Sequence, residues 1–217
     1  MQTLSYSTDQ FNFYEIISTK LQCSNLEDIH LQKEFNYHTV FKRENDQSTH
    51  YHKAFYDLAR TQEFSDLYTG FLQEIIKPYF HNREIVYQNI PTFRLHFPQN
   101  IAVGEYHRDR NYRDIDWAKK VKETNFFLPF TKAFGTNTIW AESQEGKEDF
   151  SPIEVEYGQV VAWDGANLLH GNKTNTETKT RISVDFRVML KENYLPSTAG
   201  SINTKSKFAI GGYYSEM

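Results

Sequence analysis

The segment Arg181-Ile182-Ser183-Val184-Asp185-Phe186-Arg187-Val188 constrains the fold more than any other stretch of the chain. Side chains on a strand alternate between two faces, so Arg181, Ser183, Asp185 and Arg187 share one face and Ile182, Val184, Phe186 and Val188 the other. The apolar face must be covered by other elements. The polar face then points into the interior of a β-core. Two arginines and an aspartate in such an interior cost several kcal/mol, roughly, unless each is paired or meets a ligand. Asp185 and Arg187 must either balance each other or face something polar.

Other runs repeat this division. In 102–109, alternation places Val103, Glu105, His107 and Asp109 on one face. In 124–129, Asn125 and Phe127 share a face that Phe126 and Leu128 oppose. A core that turns an apolar surface outward and polar groups inward is organised around an interior site.

The chain changes character near residue 82. Before it, Phe64, Leu67, Tyr68, Phe71, Leu72, Ile75 and Ile76 recur at three- and four-residue steps, which predicts an amphipathic helix ending before Pro78. Weaker helical patterns cover Tyr51 to Arg60 and Leu26 to Lys33. Beyond residue 82 short β runs follow at Ile85–Gln88, Phe93–Phe97, Ala102–His107, Thr124–Pro129, Asn137–Glu142, Ile153–Tyr157, Val160–Trp163, Leu168–His170 and Arg181–Leu190. Helices followed by about eight short strands predict a single domain over 1–217. It divides into a mainly helical support region (1–82), a double-stranded β-helix core of jelly-roll, cupin-like type (83–191) and a C-terminal extension (192–217).

The inward-facing residues include the makings of a metal site. Two imidazoles and a carboxylate can occupy one face of an iron(II) ion and leave three positions open. His107 and Asp109 stand two apart on one predicted strand, and His170 arrives from a later one. Arg181 lies eleven residues beyond His170. A hairpin through the polar turn Asn172–Thr180 would set it on the neighbouring strand, where its planar guanidinium can pair with a distal carboxylate. The chelating cosubstrate such a site uses is 2-oxoglutarate, with O2 in the remaining position. Ser183 can add a hydroxyl to the anchor. Asn125, and less directly Thr138, are candidates for the cosubstrate's other end. Arg94, Glu105, Asp185 and Arg187 are candidate substrate contacts and suit a small polar molecule. Their other reading is support for the ligands. His52 and Gln88 can reach the pocket; Tyr106, Tyr112 and Trp117 flank the ligands. The polar stretch Arg110–Lys120 is either a lid or an ordinary solvated loop.

Composition narrows the partners. The 217 residues carry a formal charge of −4 and no basic stripe, which gives no footprint for nucleic acid. No apolar run approaches a membrane span. Cys23 is the only cysteine, so no internal disulfide forms and a cytoplasmic setting is expected. Met1–Tyr6 lacks the charged start and apolar run of a signal peptide. Nothing in the sequence sets an oligomeric state.

His107-x-Asp109, a distal His170 and Arg181-x-Ser183 together resemble the Fe(II)/2-oxoglutarate-dependent oxygenases with a double-stranded β-helix core. A closer resemblance, spanning about Asp46 to Met189, is to the StrG-type streptomycin-biosynthesis oxygenases. It rests on Pro91-Thr92-Phe93-Arg94, Glu105-Tyr106-His107-Arg108-Asp109, Asn125-Phe126-Phe127-Leu128-Pro129, Ala133-Phe134-Gly135-Thr136-Asn137-Thr138 and Arg181–Arg187. The resemblance implies His107, Asp109 and His170 as iron ligands and Arg181 as cosubstrate anchor. It implies hydroxylation of an unactivated C–H in a sugar, aminocyclitol or amino-acid derivative, with release of succinate and CO2. Halogenating relatives replace the carboxylate ligand with a small residue, and Asp109 argues against that chemistry. Two rivals differ in class. One is a cupin-like metal-binding protein or isomerase without oxygen chemistry, which needs no Arg-x-Ser. The other is a protein hydroxylase acting on a polypeptide partner.

Overall fold

The computed structural model describes residues 1–32, 49–102, 105–112, 121–197, 199–200 and 206–217. The expected jelly-roll is present. Ten strands form two sheets: β1 (Gln2–Ser5), β2 (Ile85–Gln88), β3 (Thr92–His96), β4 (Thr124–Pro129), β5 (Ile139–Ala141), β6 (Ser151–Pro152), β7 (Gln159–Trp163), β8 (His170–Asn172), β9 (Arg181–Leu190) and β10 (Tyr214–Glu216). The large sheet runs β1-β7-β4-β9-β2-β10, with β3 also paired to β9. The small sheet runs β6-β5-β8. All the strand pairings are antiparallel.

β9 is the hub. Its first half pairs with β3, its second half with β2, and its other edge with β4. Its apolar face, Ile182, Val184, Phe186 and Val188, is at most 1% exposed and packs in the main core. Phe126 and Leu128 of β4 enter the same core. Phe126 stands opposite Phe186, and the two rings stack at 5.3 Å.

The helices cover that face. Helix α1 (Phe13–Lys20) starts where the Asn12 side chain accepts from the Glu15 amide, and it buries Phe13 and Ile17. Helices α2 (His50–Leu58) and α3 (Gln62–Phe71) are capped by Thr49 and Thr61, whose hydroxyls satisfy otherwise unpaired first-turn N–H groups. Phe55 of α2 stacks on Phe93 of β3 at 4.4 Å, and Tyr68 of α3 meets Phe186 edge-on. Among the described residues no helix is long and apolar enough to cross a membrane.

Several expectations are corrected. The α3 helix does not stop before Pro78. It widens into a π-turn at Leu72–Ile76 and continues as α4 (Lys77–Tyr79), which contains Pro78. A wider turn relieves the clash of the proline ring with the preceding carbonyls. Leu26–Leu31 is a 3₁₀ segment, and Lys33 lies outside the described residues. Two strands lie outside the predicted runs: β1 pairs with β7, and β10 pairs with β2. The run at 153–157 is no strand: the local strand is β6, and Val155 makes an isolated bridge to Ala133.

The correction nearest the site concerns 102–109. His107 makes a single bridge to His170, and Asp109 opens a 3₁₀ turn (Asp109–Tyr112). Val103 lies outside the described residues, as do 113–120, which include Trp117 and most of the candidate lid. Arg181 is also not across a hairpin from His170. β8 belongs to the small sheet and β9 to the large one, so the turn between them crosses the barrel.

Candidate metal centre

His107, Asp109 and His170 converge at the mouth of the barrel. One ligand atom from each lies within 4.8 Å of the other two. The Asp109 Oδ1 is 3.5 Å from His107 Nε2 and 3.8 Å from His170 Nε2. Two neighbouring segments hold this spacing. The His107 N–H donates to the His170 carbonyl at 2.8 Å, and the His170 N–H donates back to the His107 carbonyl at 3.0 Å.

Hydrogen bonding fixes which nitrogen faces the centre. A carbonyl oxygen only accepts, so His107 Nδ1 donates to Glu105 O at 2.8 Å and His170 Nδ1 donates to Leu168 O at 2.9 Å. Each Nε2 is then available as a ligand, an outer arrangement that sets ring orientation at metal sites. The Trp163 ring stands edge-on to His170 at 4.7 Å. Burial pushes the His170 pKa down and favours the neutral ligand form. Burial also acts to lower that of His107, but its hydrogen bonds to Asp109 and the Glu105 carbonyl raise it overall.

The two oxygens of Asp109 are differentiated. Its Oδ2 accepts from Arg187 Nη2 at 2.6 Å and from Asn125 Nδ2 at 2.8 Å, while Oδ1 faces the imidazoles. Burial alone would raise the Asp109 pKa. The Arg187 charge and the imidazoles hold it well below the usual carboxylate range. Two neutral imidazole nitrogens and one anionic oxygen, converging on a point, fit a first-row divalent cation such as Fe(II).

A narrow cavity of about 50 Å³ opens at the triad, lined from the large sheet by Arg94, Asn125, Trp163, Arg181, Asp185 and Arg187 and from the small one by Ile139, His170, Gly171 and Asn172. Arg181 lines it and is 1% exposed. Its Nε donates to Asn137 O at 2.8 Å and its Nη1 to Ser183 Oγ at 2.8 Å. Phe127 lies 5.6 Å below the guanidinium. Ser183 thus orients Arg181 and is not itself part of the lining.

The remaining candidates separate. Arg94 and Asp185 line the cavity and pair across strands, with Arg94 Nε donating to Asp185 Oδ1 at 3.0 Å. Asp185 and Arg187 therefore do not balance each other; each has a partner on another element. Arg187 lines the cavity but holds Asp109, and its Nη1 donates to the Tyr213 hydroxyl at 2.8 Å. Asn125 lines the cavity and also holds Asp109. Thr138 stands outside: it immediately precedes β5, and its hydroxyl donates to Ile153 O at 2.7 Å. Glu105 is exposed and outside the lining. His52 and Gln88 are buried outside the lining as well, His52 on Thr49 and Gln88 on Ile90 and Thr92. Tyr106 is exposed and packs on Phe150.

Three supporting residues had no signature in the sequence. Tyr213 and Glu123 surround Arg187, and Glu142 lies behind the ligand segments. They come from the extension, a strand approach and a strand exit, where neither spacing nor alternation marks them.

Gly165 is needed for this packing. A Cβ there would lie 2.7 Å from Asn125 Nδ2 and 2.8 Å from Asn125 Cγ. Gly165→Ala is therefore expected to displace the Asn125 amide from Asp109 and weaken metal binding. Calorimetric titration with Mn(II) reads this, and an unchanged affinity would show that Asn125 does not steady the carboxylate.

Comparison with known proteins gives a consistent picture. No family model matches the chain. The streptomycin biosynthesis protein StrG of Streptomyces griseus is 37% identical over 176 residues, covering 81% of this chain and 80% of that protein. Among solved structures, EctD from S. alaskensis, crystallised with 2-oxoglutarate and 5-hydroxyectoine, superposes with a TM-score of 0.51 at 11% identity, over 97% of this chain and 76% of its own. CytC3, solved with Fe(II) and α-ketoglutarate, gives 0.53 at 10% identity, over 88% and 73%. At such identities the two structures bear on the fold alone.

Proposed function

The chain belongs to the family of the streptomycin biosynthesis protein StrG, and from that premise we propose that it is an Fe(II)- and 2-oxoglutarate-dependent oxygenase of a small polar metabolite. The observation that carries this reading is the convergence of His107, Asp109 and His170 within 4.8 Å on a cavity that Arg181 also lines. A cupin-like site without oxygen chemistry has no use for that arginine.

His107 Nε2, His170 Nε2 and Asp109 Oδ1 would hold the metal. Fe(II) with 2-oxoglutarate and O2 supplies the oxidising power that no side chain offers, leaving the protein to bind, orient and exclude water. Arg181 would pair with the C5 carboxylate of 2-oxoglutarate in a buried setting where a charge-assisted fork is strong. Ser183 and Asn137 O fix the guanidinium before the cosubstrate arrives. Arg187 and Asn125 occupy Asp109 Oδ2, which favours binding through Oδ1 alone. Arg94, with its side chain 23% exposed, is the most open of the lining arginines and aspartates, and Asp185 is its partner. They are positioned to meet a polar substrate, for which hydroxylation with release of succinate and CO2 is the reaction we assign. A sugar, an aminocyclitol or an amino-acid derivative all fit that description.

Anaerobic titration tests the reading. Addition of Fe(II) and then 2-oxoglutarate should produce a weak visible charge-transfer band that needs both components. No band with wild-type protein that binds Fe(II) would overturn the cosubstrate assignment.

A further inference from the structure

We propose that Glu142 is a positioning residue of the metal centre, bracing the two chain segments that carry the ligands; the inference rests on the metal-binding reading above. Glu142 follows β5 and is fully buried. Its Oε1 accepts from the Leu169 N–H at 2.6 Å and from Arg108 Nη2 at 2.9 Å. Leu169 directly precedes His170, and Arg108 sits between His107 and Asp109. One oxygen atom therefore ties both ligand-bearing segments to the end of β5. The Glu142 N–H adds a bond to Leu169 O at 3.0 Å, and Arg108 Nε donates to Asn167 O at 2.8 Å.

The other oxygen has a separate task. Oε2 accepts from the Gly146 N–H at 2.8 Å and the Glu148 N–H at 3.3 Å, closing the turn after β5. Only a carboxylate serves all four donors. Burial acts to raise the Glu142 pKa, but those donors hold it below the usual range, so it stays ionised. A glutamine would turn its NH2 group toward N–H donors on one side or the other.

The two segments also bond directly: His107 and His170 exchange one pair of backbone hydrogen bonds, the Asp109 N–H donates to Gly165 O at 3.1 Å and the Arg110 N–H to Ala166 O at 3.4 Å. These bonds join the segments to each other, and Glu142 adds the tie from both of them to the end of β5. A three-ligand site binds tightly only if the ligand separations are held before the ion arrives. Glu142 touches none of the ligand side chains; it acts through Arg108 and the Leu169 amide.

The test uses Mn(II) as the probe, followed by the electron paramagnetic resonance of the free ion, with metal-free melting temperatures measured alongside. Glu142→Gln is expected to raise the Mn(II) Kd by about tenfold, the scale of lost outer support at metal sites. Arg108→Gln removes one contact to Oε1 and leaves the turn bonds of Oε2, so a rise of several-fold, roughly, is expected there. A purely structural Glu142 would lower the metal-free Tm and leave the Kd untouched in both variants, and that result would overturn the proposal. If Glu142→Gln does not fold, Arg108→Gln decides by the same criterion. Wild-type protein that binds Mn(II) no better than His107→Ala would remove the metal reading itself, and the brace with it.

Discussion

Asp109→Ala is expected to lose metal binding and fold stability together, whereas His107→Ala loses metal binding with the fold nearly intact. On the proposed reading Asp109 is a ligand, and it is also the counter-ion of Arg187, whose side chain is 15% exposed. Removing one partner of a buried pair leaves the other charge uncompensated, at a cost of about 3–5 kcal/mol. Glu123 Oε2, 4.0 Å from Arg187 Nε, and the Tyr213 hydroxyl soften the loss, so the lower end of that range is expected. His107 holds no such charge; its ring spans the Glu105 carbonyl and the centre. Urea melts of the two metal-free variants separate the effects. Equal midpoints for both would show that Arg187 does not depend on Asp109. Asp109→Asn keeps the shape and should retain part of the stability but little of the metal affinity.

Arg181→Ala should weaken 2-oxoglutarate by about 2–5 kcal/mol, the usual cost of losing a desolvated charged hydrogen-bonded partner, while Mn(II) affinity changes little. The guanidinium is buried, and Asn137 O, Ser183 Oγ and Asn172 Oδ1 accept from it. Arg181→Lys keeps the charge and loses the planar fork, so an intermediate loss is expected. Measuring 2-oxoglutarate binding to the Mn(II)-loaded variants gives the comparison. Should Arg181→Ala bind it as wild type does, the anchor must be another cation. Arg187 is committed to Asp109, which leaves Arg94.

β9 was legible in the sequence to its last residue, and β2 equally so. Eight residues of unbroken alternation in β9, Arg181 to Val188, leave little room for another conformation. β4 was legible with the same bounds. The ligand segments were not, because local propensity does not shape them. His107 is held by one bridge and Asp109 by a 3₁₀ turn, so strand alternation does not describe how the described residues of 105–109 are placed. The inward face of β9 was read correctly, but its charge partners could not be. Asp185 pairs with Arg94 on the adjacent strand, and Arg187 with Asp109 from a distant loop. Alternation says which face a side chain takes and nothing about what the other side of the barrel brings to it. β1, β6 and β10 have two to four residues, too few for a periodic signal.

The straight run of β9 from Arg181 to Arg187 also limits how this chain can change in length. One inserted residue between them would send one arginine to the helix-covered side and break every pairing beyond the insertion. Two inserted residues would restore the facing but lengthen the separation by about 7 Å. Neither change leaves both arginines in the same relation to one cavity. The strand therefore behaves as a fixed gauge between the two ends of the site, and variants with insertions or deletions within 182–186 are expected to be absent from any library selected for 2-oxoglutarate binding.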